Sequence, residues 1–206
     1  MSQDARRAFV PSALVGALIG LLLMAGTAWA HHIDSMVPVP GAGPGNQTSN
    51  KQTDNAAVYY YMDSNGAYEL ETVDKNTVNN MLDAEYRPTV LAFHYDSTPV
   101  FSGGAETDTI WQEGAVSGSD EGTTWCDNPV GLYACDQHYI RIEGAGTYTK
   151  GLTCHEMGHA VGLVHGLNAA PSVPNQDASL RCMRKTVAAS DILGTHNRSE
   201  INETYD

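Results

Sequence analysis

Eleven consecutive residues, His155-Glu156-Met157-Gly158-His159-Ala160-Val161-Gly162-Leu163-Val164-His165, constrain this chain more than any other stretch. A helix turns once every 3.6 residues, so His155 and His159, four positions apart, project from one face and can reach one ion. Glu156 follows the first histidine, which sets its carboxylate beside such an ion, able to hold and deprotonate a water without being a ligand. Gly162 falls three residues after His159, where a left-handed backbone costs glycine nothing and would end the helix and swing His165 back. Three imidazoles, one general base and an open fourth position are the donor set of a catalytic zinc.

With these residues the segment resembles the metzincin clan of zinc endopeptidases, whose signature is HExxHxxGxxH followed by a methionine turn. Cys182-Met183 lies eighteen residues past His165, and the resemblance implies that Met183 sits in a tight turn beneath the metal. It is specific over about 154–183, and in size and layout is closest to secreted matrixin-like domains, bacterial ones included. The residue after the third histidine is Gly166, unlike the Ser, Glu, Asp or Pro of the larger subfamilies, so the subfamily stays open. Lys185 stands where astacins and serralysins carry a tyrosine that can touch the metal, so no such extra ligand is expected. The implied fold is α+β: a twisted mixed sheet with helices in an upper half, the zinc-ligand helix, then a Met-turn and a C-terminal helix below.

Arg6 and Arg7, an apolar run over 13–24 and Ala28-Trp29-Ala30 read as a secretory signal peptide over residues 1–30. The run is too short for a membrane span, so no membrane is expected once the leader is removed. Asp and Glu number 24 against 11 Lys and Arg, a net charge of −13 that repels nucleic acid and anionic lipid. Four cysteines, Cys126, Cys135, Cys154 and Cys182, follow the leader, an even number in a chain bound for an oxidising space. Three pairings are possible. Cys126 with Cys135 would close a short loop, leaving Cys154 with Cys182, and no CxxC-like spacing supports a thiolate zinc site.

Residues 31–56, rich in Pro, Gly, Asn, Ser and Thr, read as a flexible polar lead-in, with the catalytic domain over 57–206. Val58–Met62 is β-prone, Glu71–Tyr86 carries Val78, Met81, Leu82 and Tyr86 at helical spacing, and Pro88 ends that helix. The apolar run Val90–Tyr95 reads as a central strand covered on both faces. Strands are also expected over Thr107–Gln112 and Tyr139–Glu143, with an elaborated Gly- and Asp-rich loop over 117–136 between them. Its Asp120, Glu121, Asp127 and Asp136 could coordinate Ca2+ but lack a fixed ligand rhythm. The ligand helix is expected over about 148–163 and a final helix over 195–205.

The resulting expectation is a secreted zinc endopeptidase with Glu156 moving protons between water and the leaving amine. Its partner would be a polypeptide held extended along an edge strand near residues 131–137, with the protein a monomer. Rival readings are a catalytically silent zinc-binding module, a zinc amidase acting on cell-wall peptides, and an arrangement in which Glu200 replaces His165 as third ligand.

Overall fold

The computed structural model describes residues 32–41, 50–144 and 146–206, and the described residues from His32 onward belong to one compact unit. The expected signal peptide lies outside the described residues.

Six strands form one sheet: β1 (Gln52–Thr53), β2 (Ala57–Met62), β3 (Ala92–Tyr95), β4 (Thr109–Glu113), β5 (Gly122–Pro129) and β6 (Ala134–Ile142). Their order is β1-β6-β4-β2-β3, all parallel along that path, with β5 antiparallel to β6. Cys135 pairs with both Thr53 and Pro129, so β1 and β5 flank β6 on opposite sides and β5 forms a margin of the sheet. Parallel neighbours need crossovers, and α1 (Thr72–Met81) supplies the one between β2 and β3. The fold is thus a mixed α/β arrangement with a mostly parallel sheet.

Helix α1 forms for the reason its periodicity gives: Val78 and Met81, joined by Leu82 and Tyr86 in a π-helical continuation over Leu82–Tyr86, turn one apolar stripe inward. That stripe packs with Val58, Tyr60, Trp111, Ile140 and Ile142 from the sheet and with Leu152 and Met157 from α2 (Lys150–Ala160). Each such side chain removed from water contributes about 1.5–3 kcal/mol, so this shared core fixes α2 against the sheet. Two polar ties sharpen the register. The Tyr86 hydroxyl donates to the Cys154 carbonyl at 2.6 Å. Buried Glu85 takes Lys150 Nζ at 2.6 Å, Arg198 Nη2 at 2.8 Å and the Leu193 amide at 3.1 Å, joining the end of the first helix to α2 and to α3 (Gly194–Tyr205).

Three sequence expectations are corrected. The 117–136 segment is no loop throughout: Gly122–Pro129 is an eight-residue strand, held by pairing to β6 and by the Cys126–Cys135 disulfide. The apolar run ending at Tyr95 supplies an edge strand, Ala92–Tyr95, with three of its four residues exposed, because among the described residues β3 pairs only with β2. The described parts of the lead-in are packed. Asp34 and Ala170 exchange backbone hydrogen bonds of 2.7 and 2.9 Å, and Val37 and Val39 bury against Val164. Ile33, Met36, Val37 and Val39 are all buried and anchor that segment, and composition averaged over 31–56 hides them.

Candidate metal centre

Helix α2 begins at Thr149, whose hydroxyl accepts from the Leu152 amide at 3.2 Å, an N-cap that satisfies one otherwise orphaned donor. It ends at Ala160, and Gly162 follows with φ of 99°, the left-handed turn that only glycine takes without strain. A side chain there would also press on Gln52 Cγ, 2.7 Å from where its Cβ would lie. Val164 N then bonds Ser35 O at 2.8 Å, so the N-terminal segment holds the strand-like stretch that delivers His165.

The three histidines converge. His155 Nε2, His159 Nε2 and His165 Nε2 lie 3.1 Å from one another in all three pairings. His155 Nδ1 donates to the Cys182 carbonyl at 2.6 Å and His159 Nδ1 to the Leu163 carbonyl at 2.9 Å. A carbonyl only accepts, so His155 Nδ1 keeps its proton and its Nε2 presents a lone pair, while His159 Nδ1 faces both the Leu163 carbonyl and the Asn50 side-chain nitrogen at 2.9 Å. Lone pairs crowded at one point repel unless a cation lies among them. Ligands around a tetrahedral zinc sit ~3.3 Å apart, given ~2.0–2.1 Å bonds, and the observed spacing fits that donor set. Burial, first, lowers the pKa of all three rings; His155 falls to about 4, helped by His165, and Lys185 adds to the lowering at His165. The rings are therefore neutral at pH 7, the form that ligates.

Glu156 is 4% exposed, and burial pushes its carboxyl up to about 7, with Asp120 adding to the rise and a Thr124 hydrogen bond opposing it. Thr124 Oγ1 donates to Glu156 Oε2 at 2.7 Å. Strand β5 crosses so close that a Cβ on Gly122 would lie 2.6 Å from Glu156 Oε1. The histidines and Glu156 open on a cleft of about 540 Å³ also lined by Asp120, Gly122, Thr124, Leu152, Lys185 and Val187.

Met183 closes a 3-10 segment, Ala178–Met183, in which Arg181 takes a left-handed φ of 53°. Its side chain is fully buried, with the thioether packed against Gly158 of α2. Cys154–Cys182 and Cys126–Cys135 are both disulfides, so the residue before His155 is bonded to the residue before Met183. Among the described residues no helix is long and apolar enough to cross a membrane.

The sequence placed His155, Glu156, His159, Gly162, His165 and Met183 together, and the structure gathers them. It does not bring Glu200 to this site: Glu200 accepts from the Ser35 amide at 2.7 Å, on the N-terminal segment. Nor does it assemble the four acids considered for calcium; Asp136 groups instead with Asp54 and Asp108. Thr124 and Gly122 escaped sequence reasoning. Their only signal was a β-prone Thr-Thr-Trp run, obscured by the glycines and acids around it.

No family model matches the chain, and no curated protein matches it. Among solved structures, the crystal structure of myroilysin aligns with a TM-score of 0.31 and 13% identity. The alignment covers 73% of this chain and 64% of that one. A likeness of that size carries no weight on activity.

Proposed function

We propose that this chain is a secreted, zinc-dependent endopeptidase of the metzincin type. The observation that carries the reading is the triangle of Nε2 atoms 3.1 Å apart, adjoined by the buried carboxylate of Glu156 in an open cleft. The buried Met183 under α2, the antiparallel margin strand β5 and the closing helix α3 support the clan assignment. The two disulfides suit an oxidising compartment, and the leader-like N-terminus directs the chain there.

A zinc ion held by His155, His159 and His165 would supply Lewis acidity to a scissile carbonyl and to water. Glu156 supplies the proton traffic. Thr124 occupies Oε2, so Oε1, beside Gly122, is the atom that takes a proton from the attacking water and returns it to the leaving amine. Substrate would lie extended along β5, whose Gly122, Thr123 and Thr124 line the cleft, pairing backbone to backbone with the sheet's free margin. This moves the expected docking edge from 131–137 to β5, because β6 already has partners on both sides. Leu152 and Val187 give the cleft an apolar wall for a substrate side chain.

The test is cleavage of casein and of a quenched peptide library by the mature chain, with and without chelator, beside Glu156→Ala. Activity should need metal and fall by several orders of magnitude in the variant. Chelator-insensitive cleavage, equal activity in Glu156→Ala, or release of muropeptides from peptidoglycan in place of protein cleavage would reject the assignment.

A further inference from the structure

A second convergence of metal-binding side chains lies where the N-terminal segment meets α3. His32 Nε2 stands 3.0 Å from Asp34 Oδ1 and 3.1 Å from Glu200 Oε1. The His196 ring sits edge-on to His32 with centroids 5.8 Å apart. One ligand atom from each of His32, His196 and Glu200 lies within 4.8 Å of the others. We propose that His32, His196 and Glu200, with Asp34 beside them, form a second site for a divalent transition metal, one that staples the N-terminal segment to helix α3.

The donor set selects the ion. Two imidazoles and one or two carboxylates suit zinc, nickel or copper, and do not suit calcium, which takes an all-oxygen shell. The supporting atoms are in place. Glu200, only 5% exposed, has its second oxygen fixed by the Ser35 amide at 2.7 Å, leaving Oε1 directed at His32. His196 Nε2 has Ser35 Oγ at 3.5 Å, an outer contact of the kind that orients an imidazole when the other ring nitrogen ligates.

The remaining adjustment is small. Tetrahedral ligands sit ~3.3 Å apart, His32 Nε2 already stands that close to Asp34 and Glu200, and His196 has only to close in from within 4.8 Å. Charge favours occupancy, since Asp34, Glu200 and Glu203 line one cavity of about 200 Å³. A filled site would also bear on the first one at a distance. The segment it pins is the one whose Ser35 carbonyl and Val37 amide bond Val164 and Gly162, the residues that lead into His165.

Zinc binding to the full mature chain, followed by calorimetric titration, metal analysis and thermal unfolding, tests this. The wild-type chain should take up two ions, and His155→Ala/His159→Ala should take up one. In that double variant His32→Ala, His196→Ala and Glu200→Gln should each weaken the remaining site at least 10-fold, since outer partners alone are worth roughly 10–100-fold. Each should also abolish the zinc-dependent rise in Tm. Unchanged affinity in His196→Ala or Glu200→Gln overturns the site. Loss confined to His32→Ala assigns the metal to the N-terminal tail alone and overturns it equally. A Tm change that is the same with and without zinc marks a plain His32–Glu200 ion pair, again against the proposal. The double variant separates this question from the endopeptidase reading, whose failure would remove the other ion.

Discussion

Thr124 Oγ1 lies 2.7 Å from Glu156 Oε2 and 3.0 Å from the Glu156 carbonyl, so the single proton of one hydroxyl on the margin strand is directed at the carboxylate and shared with the helix that carries it. Without that hydroxyl the carboxylate keeps its burial and loses its orientation. Thr124→Val, which is nearly isosteric, should lower kcat by roughly 10-fold, a part of the ~10²–10⁴-fold that a positioned acid–base group contributes, because the carboxylate is misaligned and not removed. Zinc content and KM should stay near wild type, and Thr124→Ser should recover most of the rate. Steady-state kinetics on a quenched peptide decide it: unchanged kcat in the valine variant would remove Thr124 from the machinery.

Gly158 and Met183 meet beside the helix turn that carries His155 and His159, and the thioether leaves no room for a β-carbon on the glycine. Gly158→Ala must push Met183 or α2 aside, an overpacking cost of about 1–3 kcal/mol, while Met183→Leu keeps volume and should cost less than about 1.5 kcal/mol. The alanine variant should also bind zinc more weakly, because its displacement falls between His155 and His159. Chemical denaturation and metal analysis on both variants check the order, and a Gly158→Ala protein as stable as wild type would show that the floor is not tightly packed.

The histidine cluster was legible because helical geometry turns spacing into direction: residues four apart share a face, and a glycine three further on permits the reversal that returns His165. Strand β5 was not legible. Its pairing depends on contacts with β6 that no local pattern announces, and Gly122, indispensable where β5 passes over Glu156, reads in sequence as a loop residue. The run ending at Tyr95 misled for the opposite reason, since apolar residues at a sheet margin look like those of a buried strand until the neighbours are known. Glu85, bonded to Lys150, Arg198 and Leu193, is also invisible locally, because its partners lie more than sixty residues away.

The two disulfides should differ in consequence. Cys154–Cys182 spans 28 residues and Cys126–Cys135 spans 9, so loop entropy assigns them about 3.6 and about 2.6 kcal/mol. The larger difference should appear in metal binding. The Cys182 carbonyl accepts from His155 Nδ1 at 2.6 Å, so cutting Cys154–Cys182 loosens a group that orients a ligand. Cys154→Ser/Cys182→Ser should therefore lose zinc affinity by roughly 10-fold or more, a typical cost for an outer partner. Cys126→Ser/Cys135→Ser should retain affinity and lose only stability. Paired unfolding and zinc-competition titrations resolve the two effects, and equal zinc affinity in both double variants would refute the coupling.

Asp108 sets an expected pH dependence of stability. Its side chain is buried, with Oδ2 accepting from the Tyr59 amide at 2.6 Å, and burial raises its pKa to about 7, with Asp54 and Asp136 adding to the rise against that hydrogen bond. The folded chain therefore holds a proton that the unfolded chain, near the ordinary value of 3.8, releases. Stability from this group is fully present below about 4 and is lost as pH climbs through about 7. Asp108→Asn keeps an oxygen for Tyr59 and cannot ionise, so its stability relative to wild type should improve between pH 5 and pH 8. His138 works in the opposite direction over part of that range: burial lowers it to about 4, so acidification from 6.5 towards 4 destabilises the fold whichever residue stands at 108. Urea unfolding of both proteins at pH 5, 6.5 and 8 isolates the Asp108 contribution as the difference between them, from which the His138 effect cancels. A difference that stays flat across the three values would mean that Asp108 ionises in the folded chain as easily as in the unfolded one.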